Sequence, residues 1–172
     1  GTLASALCMD KDRAHKLASL AGVEVPRSAC FSGLPSQAEL ETLTRSLTFP
    51  VFVKPVRAGS SFGITKVENP ANLRAAVRDA LRYDREVIVE EAIAGFEVGC
   101  AVMGNAELTT GRADEIEIQG DLFDYTEKYN LITSKIHMPA RVDAETERRI
   151  QDTAKSIYRA LGCRGFARGD MF

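Results

Sequence analysis

The ten residues from Lys54 to Gly63, K-P-V-R-A-G-S-S-F-G, have the composition of a phosphate-binding loop. Small residues between two predicted strands let backbone N–H groups converge on an anion, and Lys54 adds a positive charge. The spacing G-x-x-x-x-G-K is absent, which excludes a P-loop. An ordinary hairpin turn uses the same glycines and serines. These residues alone therefore leave phosphate binding and a plain turn as equal alternatives.

Acidic residues follow a predicted buried strand: Glu90 and Glu91 end V-I-V-E-E, and Glu97 comes seven residues after Glu90. Carboxylates at such a strand end can accept hydrogen bonds from an adenine amino group and from ribose hydroxyls. Exposed acids at strand ends are also ordinary in globular proteins. On spacing alone we favour that simpler interpretation.

Arg168 and Asp170 alternate along the predicted final strand, so their side chains project from the same face of the sheet. A carboxylate there can hold a hard metal ion such as Mg²⁺. A guanidinium beside it can stabilise charge on a transferring phosphoryl group or on an oxyanion. For an isolated R-x-D sequence, a surface ion pair is the more common explanation.

Residues 119–135 form a polar segment with no clean hydrophobic period, which predicts a long surface loop. It contains Lys128 and an aromatic group made of Phe123, Tyr125 and Tyr129. Large aromatic side chains normally cover another surface. The segment is therefore predicted to be a lid that closes over a substrate, rather than a solvated tip.

These residues must be positioned by a mixture of helices and strands. Helical spacing of apolar residues and N-terminal capping signals predict four helices: Asp10 to about Gly22, Ser36 to about Ser46, Asn69 through Leu81, and Asp143 to about Leu161. Apolar and β-branched runs predict strands within 23–31, 49–55, 64–67, 86–91, 96–104, 108–118, 135–142 and 165–172. The order predicts an α+β fold with a first lobe at 1–93 and a second at 94–172.

Composition narrows the class of protein. The 172 residues are 45% hydrophobic and 27% charged, typical of a folded globular chain, and 22 basic against 24 acidic residues are mixed along it. No basic stripe indicates nucleic acid, and no apolar run approaches the roughly 20 residues that span a membrane. Four scattered cysteines without a C-x-x-C pair predict free thiols, and no leader precedes Gly1, so we expect a cytoplasmic protein.

Taken in order, five segments resemble the D-alanine:D-alanine ligase family of ATP-grasp enzymes. They are S-A-L-C-M-D-K (5–11), the 54–63 loop, V-I-V-E-E with Glu97, F-D-Y-T-E-K-Y (123–129), and G-C-R-G-F-A-R-G-D-M-F (162–172). The resemblance covers essentially the whole chain. The pairing of S-A-L-C-M-D-K with G-S-S-F-G is closer to the vancomycin-resistance branch, whose members append D-lactate or D-serine to D-alanine.

The resemblance implies a role for each matching residue and an ATP-grasp fold with nucleotide between two lobes. Phosphate contacts would come from lysines and loop serines: Lys11, Lys54, Ser60, Ser61 and Lys128. The adenine and ribose site would be formed by Glu90, Glu91, Ile93 and Glu97. The catalytic residues would be Ser60, Lys128, Tyr129 and Arg168, with Arg168 on the oxyanion. Asp170 would be the first ligand of Mg²⁺ or Mn²⁺.

The family's reaction has two steps. The D-alanine carboxylate attacks the γ-phosphate of ATP to give an acyl phosphate, and a second substrate then displaces phosphate. A tyrosine in the lid resembles dipeptide-forming members, so D-alanine or D-serine is expected as second substrate rather than D-lactate. The implied product is a peptidoglycan precursor, and the full-length protein is expected to be a homodimer that binds neither nucleic acid nor membrane.

Departures from the family pattern also shape the expectations. Gly169 stands where the family carries a branched apolar residue. The chain stops at Phe172, before a family N-E-x-N sequence that supplies further magnesium ligands, and it lacks the N-terminal domain that holds the first D-alanine. We therefore expect a segment cut at both ends that is inactive alone, and D-alanine-dependent ADP release from it would contradict this.

Two other functions remain open from the sequence. One is a different ATP-grasp carboxylate–amine ligase with another acid substrate, which the E-K-Y of the lid argues against. The other is a non-catalytic nucleotide-binding module, for which metal ligands beyond Phe172 would not be needed.

Overall fold

The computed structural model describes residues 1–118 and 134–172. These residues contain both helices and strands. The α-helices are α1 (Thr2–Met9), α2 (Lys11–Leu20), α3 (Gln37–Thr44), α4 (Leu73–Ala80) and α5 (Ala144–Ala160). The strands are β1 (Ser28–Ser32), β2 (Val51–Pro55), β3 (Thr65–Val67), β4 (Glu86–Glu91), β5 (Glu97–Gly104), β6 (Leu108–Thr110), β7 (Asp114–Ile118), β8 (Ser134–His137) and β9 (Gly165–Met171). A short 3-10 helix, Pro70–Asn72, precedes α4.

Internal contacts divide the chain into two compact units. The first unit consists of residues 9–12 and 26–93, and the second consists of residues 1–8, 13–25 and 94–172. One junction between them falls after Ile93, where the sequence suggested a boundary. Residues 1–8 and 13–25, which the sequence placed in the first lobe, group instead with the unit that follows the junction.

The first unit is built on a four-stranded antiparallel sheet in the order β1-β4-β2-β3. Alternate valines of the two central strands face one side, as the period of two requires. They pack against apolar residues of α3 and α4, and this core contains Leu40, Val51, Val53, Leu73, Val77, Val87 and Val89, all at most 2% exposed. The apolar stripe of the helix after Pro70 and the buried strand at 86–91 are confirmed.

The predicted capping box at the start of α3 is also confirmed. Ser36 Oγ accepts a hydrogen bond from Glu39 N at 3.3 Å, and Glu39 Oε2 accepts one from Ser36 N at 2.8 Å. Two backbone donors that the helix cannot satisfy are therefore paired.

The second unit contains a five-stranded sheet in which β5 is central. Strand β9 pairs along one edge of β5, and β6 and β7 pair along the other, with β8 outside β7. Helix α5 covers one face through a core of Cys100, Val102, Ala154 and Tyr158. The helix begins after Asp143, whose side chain accepts from Thr146 N at 2.7 Å, and ends before Gly162, whose φ is +63°.

Some predicted elements differ from the structure. The run 108–118 is two strands, because the register against β5 shifts by one residue between β6 and β7. The strand predicted over 135–142 stops at His137, since Pro139 has no N–H to continue a ladder. Helix α1 was not predicted. The final strand and the long helix before it are confirmed.

Two further observations concern membrane-spanning helices and the state of the cysteines. Within 1–118 and 134–172, no helix combines the length and apolarity needed to traverse a bilayer. All four cysteines, each inside the described ranges, are free thiols. The sulfurs of Cys8 and Cys163, both in the second unit, lie 3.9 Å apart.

Candidate active site

The loop between β2 and β3 has an unusual backbone. Ser60 and Ser61 have φ angles of +51° and +60°, and Gly63 has +70°. Left-handed backbone at a residue other than glycine costs of order 1–3 kcal/mol and is found mainly where a ligand or a switch requires it. Two successive serines in this conformation distinguish the segment from a plain hairpin turn, because ordinary turns place glycine or asparagine there.

Lys11 fixes the start of this loop. Its Nζ donates hydrogen bonds to the carbonyl oxygens of Pro55 at 3.0 Å, Val56 at 3.3 Å and Ala58 at 2.8 Å. Its backbone N–H also donates to Val56 O at 3.2 Å. The ammonium expected to contact phosphate therefore lies at the base of the loop expected to do the same, although the two are more than 40 residues apart in sequence.

Lys54 and Glu90, which the sequence assigned to different parts of a nucleotide, are neighbours on the sheet. The Lys54 ammonium forms an ion pair with Glu90 Oε1 and lies 5.3 Å from the centre of the Phe52 ring. The pair lies on the face away from α4, and its side chains are 22% and 7% exposed. Removing either partner of a charged pair with so little exposure would leave a buried charge without compensation, which is destabilising.

Arg57 is a functional candidate that sequence reasoning missed. Its guanidinium contacts Asp10 at 2.9 Å, Asp84 at 3.1 Å, and Glu86. The hydrogen bond to Glu86 is the main reason that the pKa of Arg57 lies above its ordinary value, with Asp84 and Asp10 adding to it against the opposing effect of burial. The network ties the loop to Asp10, the residue between α1 and α2, and to the start of β4. The sequence gives one indication of this network: Asp10 lies in the S-A-L-C-M-D-K segment and Arg57 lies in the 54–63 loop.

The other residues expected at the adenine and ribose site lie at or after the end of β4. Glu91 is engaged with Arg27, whose Nη2 lies 2.6 Å from Oε1, and it also accepts from the backbone N–H of Thr48. Ile93 is 46% exposed. Glu97 is the first residue of β5, opposite Ile116 on β7.

Arg168 and Asp170 are brought together on β9 as the alternation predicted. Arg168 Nε donates to Asp170 Oδ1 at 2.9 Å, and the side chains are 45% and 52% exposed. A third charged residue, Asp114 on β7, lies 3.8 Å from Arg168 Nη2. Sequence reasoning did not single out Asp114, because its proximity to Arg168 depends on the order of strands in the sheet.

Lys128 and Tyr129, together with Phe123 and Tyr125, lie outside the described residues. The lid prediction and the roles given to Lys128 and Tyr129 therefore stay predictions.

The chemistry of the donors can be compared with what Mg²⁺ needs. Across the described residues, no group of three or more His, Cys, Asp or Glu side chains forms a ready metal site. Mg²⁺ in nucleotide sites is usually held by one or two carboxylates together with substrate phosphates. The half-exposed Asp170 carboxylate fits one such ligand.

Comparison with known proteins gives one family. The family profile described as "D-ala D-ala ligase C-terminus" matches residues 21–172. Vancomycin B-type resistance protein VanB of Enterococcus faecalis is 44% identical over 98% of this chain and 49% of that protein. A D-alanine--D-alanine ligase of Chlorobium luteolum is 41% identical over 100% of this chain and 49% of that protein.

Solved structures agree in fold. The crystal structure of VanG D-Ala:D-Ser ligase from Enterococcus faecalis has a TM-score of 0.90 at 62% identity, over 99% of this chain and 50% of that one. D-alanine--D-alanine ligase from Bacillus anthracis has a TM-score of 0.80 at 28% identity, over 99% and 54%. The chain spans about half the length of the relatives it matches, and it belongs to the D-alanine–D-alanine ligase family, with the ATP-grasp fold of that family.

Proposed function

We propose that this chain is part of an ATP-dependent ligase that joins D-alanine to a second D-amino acid for cell-wall precursors. The observation that carries the proposal is the Arg168–Asp170 pair, 2.9 Å apart and half exposed on β9 of a chain in this family. A guanidinium and a metal-binding carboxylate side by side are what phosphoryl transfer followed by acyl transfer requires.

The proposed roles follow the residues already described. Lys11, Lys54, Ser60 and Ser61 hold the ATP phosphates, with Lys128 added from the lid. Glu90, Glu91, Ile93 and Glu97 form the adenine and ribose site. Arg168 stabilises negative charge on the reacting oxygens, and Tyr129 contacts the second substrate. Asp170 holds Mg²⁺ or Mn²⁺, which supplies charge neutralisation at the phosphates when bound.

In the proposed mechanism, a D-alanine carboxylate oxygen attacks the γ-phosphorus of ATP, and ADP leaves. The amine of the second substrate then attacks the acyl phosphate carbon, passes through a tetrahedral intermediate, and expels phosphate. The protein's contribution is to orient the two substrates and to place cations where negative charge develops. A closed lid would exclude water, which would otherwise hydrolyse the acyl phosphate.

D-Serine is the second candidate for the incoming amine, beside D-alanine. The observation favouring it is the 62% identity to the VanG D-Ala:D-Ser ligase, well above the 28% to the D-alanine--D-alanine ligase of Bacillus anthracis. D-Lactate is less favoured, because the tyrosine in the predicted lid resembles that of the amine-using members.

The proposed setting is the cytoplasm, where ATP and D-amino acids are available. The proposed partners are the small-molecule substrates and a second copy of the full-length protein. Size-exclusion chromatography with light scattering would test the homodimer, and a monomer at micromolar concentration would contradict it.

The test of function uses the protein expressed from its complete gene, with ATP and Mg²⁺. ADP release is measured with D-alanine alone and with D-alanine plus D-serine or D-lactate, and the products are identified by mass spectrometry. We expect release that depends on D-alanine, and a dipeptide product. ATP hydrolysis that no D-amino acid changes would instead support a nucleotide-binding module, and no nucleotide turnover at all would contradict the proposal.

A further inference from the structure

A row of three residues crosses the sheet of the second unit. Gly99 on the central strand β5 is paired with Asp114 on β7 at one edge and with Asp170 on β9 at the other. Directly paired residues of antiparallel strands project from the same face. The two aspartates therefore flank the glycine on one face of the sheet. That face is opposite to the one covered by α5, because Val98, Cys100 and Val102 alternate with Gly99 into the core.

Arg168 lies across the gap between these carboxylates. A Cβ atom placed on Gly99 would lie 2.5 Å from Arg168 Nη2, and closer still to Arg168 Nε and to Asp114 Oδ1. Any side chain at residue 99 would therefore displace the guanidinium. The glycine provides the space in which Arg168 can lie over β5 with an aspartate on each side.

The two aspartates differ in exposure. Asp170 is 52% exposed and accepts a hydrogen bond from Arg168 Nε at 2.9 Å. The Asp114 side chain is only 15% exposed, and its Oδ1 is buried and accepts no hydrogen bond from any residue that the structure describes. Among the residues that the structure describes, the cation paired with that oxygen is Arg168, whose Nη2 is 3.8 Å away. A buried carboxylate is costly unless a positive charge compensates it, so the attraction between these two groups restrains both.

We propose that Asp114 is a positioning residue for Arg168: it holds the guanidinium over Gly99 while Asp170 serves the metal. This rests on the proposed function, in which Asp170 is a metal ligand and Arg168 stabilises the developing charge. When Asp170 turns to another cation, the buried Asp114 is the carboxylate left beside Arg168. A fixed arginine needs no reorganisation as charge develops, which is how preorganised donors accelerate a reaction.

The test compares four forms of the protein made from the complete gene: wild type, Asp114→Asn, Arg168→Lys and the double variant. We expect Asp114→Asn to lower kcat at least tenfold, with KM for ATP changed less than threefold, since the residue acts on Arg168 and not on the nucleotide. In the Arg168→Lys background, the same change should alter kcat less than threefold. Asp152→Asn, at an exposed position on α5, is the control and should match wild type.

The positioning role would be overturned if Asp114→Asn kept the wild-type kcat. It would also be overturned if the double variant lost kcat by the product of the two single losses, because the residues would then act independently. Thermal unfolding checks that each variant is folded. If Asp114→Asn does not fold, Asp114→Glu replaces it. That variant keeps the charge but moves the carboxylate by one methylene, so kcat should fall at least fivefold, and an unchanged kcat would overturn the role.

Failure of the proposed function is recognised separately. If the wild type shows no D-alanine-dependent turnover, the ligase proposal is wrong, and the positioning of Arg168 is tested without activity. The side-chain Nε–H resonance of Arg168, assigned by its loss in Arg168→Lys, should shift and broaden in Asp114→Asn if the guanidinium is released. An unchanged resonance would show that Asp114 does not hold it.

Discussion

At the scale of single residues, Gly169 is the position where the sequence was expected to differ from the family pattern. It lies within β9, opposite Cys100, and apart from its chain neighbours no atom of the described residues lies within 4 Å of a Cβ placed there. Its φ lies outside the left-handed range, so a side chain adds no backbone strain.

We predict that Gly169→Val stabilises the protein. A strand glycine costs roughly 0.5–1 kcal/mol relative to alanine, because it loses more backbone freedom on folding, and valine suits a strand. Urea unfolding measures the change. Gly99→Ala serves for comparison, because Gly99 pairs with Asp170 next to the Cys100–Gly169 pair of β5 and β9. This substitution should destabilise the protein, since the added methyl group would overlap Arg168. A destabilised Gly169→Val would show that the strand needs the glycine.

The loop at 56–64 gives a second prediction. Gly63 has φ +70°, and a Cβ atom there would lie 2.5 Å from Tyr83 Cδ2 and 2.8 Å from Pro55 Cγ. Gly63→Ala should lower the free energy of unfolding by at least about 1–2 kcal/mol, the cost of left-handed backbone alone. It should also raise KM for ATP if the loop binds phosphate.

Gly59 is the matched control for that substitution. It belongs to the same loop, its φ is outside the left-handed range, and in the part of the chain that the structure describes only its chain neighbours come within 4 Å of a Cβ placed there. Gly59→Ala should therefore leave stability within about 0.5 kcal/mol of wild type, as for ordinary surface substitutions. Equal effects at the two glycines would contradict the role of Gly63 geometry.

Residue-level pairings could be predicted only where they are local. The Ser36–Glu39 capping box and the Arg168–Asp170 pair follow from spacings of three and two residues, which helix and strand periodicity convert into proximity. The partners of Arg57 come from segments 47, 27 and 29 residues away. No periodicity relates such positions, so this network required the fold.

At the scale of elements, an ion pair joins β7 to the segment just before α5. Glu115 is 5% exposed, and Arg141 donates to it through its backbone N–H at 3.0 Å and through Nε at 3.2 Å. The hydrogen bonds from the Arg141 side chain are the main reason that the pKa of Glu115 falls to about 2, against the opposing effect of burial.

We predict that Arg141→Gln lowers the free energy of unfolding by roughly 1.5–3 kcal/mol at neutral pH, the usual contribution of hydrogen bonds to a charged group. Because the pKa of Glu115 is depressed on folding, the pair's contribution is complete above its ordinary value of 4.5 and is lost as pH falls through about 2. The difference between wild type and variant should shrink over that interval.

Unfolding curves at several pH values between 2 and 7 would measure this difference. Arg149→Gln, at an exposed position on α5, removes the same charge without a contact to Glu115 and should show little effect. If the difference in free energy of unfolding between wild type and Arg141→Gln stays constant down to pH 2, the Arg141–Glu115 pair is not its source.

Element types could be predicted where periodicity was clear. Helix α5 and strand β9 lie where the apolar spacing placed them. Helix α1 was missed because its residues, T-L-A-S-A-L-C-M, are apolar or small throughout and show no polar face. Strand β8 was predicted too long, because Ala140 and Val142 continue the apolar alternation beyond Pro139 although the ladder cannot.

At the scale of the whole molecule, nucleotide binding can be tested separately from catalysis. If the family fold here binds Mg²⁺-ATP, saturating nucleotide at about 100 times its Kd should stabilise the protein by about 2.7 kcal/mol. Thermal unfolding with and without Mg²⁺-ATP measures this shift, with Mg²⁺ alone as the control. No shift at millimolar ATP would contradict nucleotide binding, whatever the outcome of the turnover assay.

The class of fold could be predicted from the sequence, but its arrangement could not. Helical patterns together with runs of consecutive strand patterns indicated α+β, and ordered motifs indicated the family. The strand order β1-β4-β2-β3 and the grouping of residues 1–8 and 13–25 with the second unit depend on contacts between distant segments. Such contacts leave no periodic signal in the chain.

The short distance between the sulfurs of Cys8 and Cys163, 3.9 Å, affects how each cysteine can be labelled with a probe. Burial, together with the neighbouring Cys8, raises the pKa of Cys163 to about 11, and the thiolate is the form that alkylating reagents attack. Labelling of Cys163 should be slow at neutral pH and accelerate about tenfold per unit of pH below that value. A maleimide dye added under mild conditions should therefore mark the exposed Cys8 and spare its neighbour.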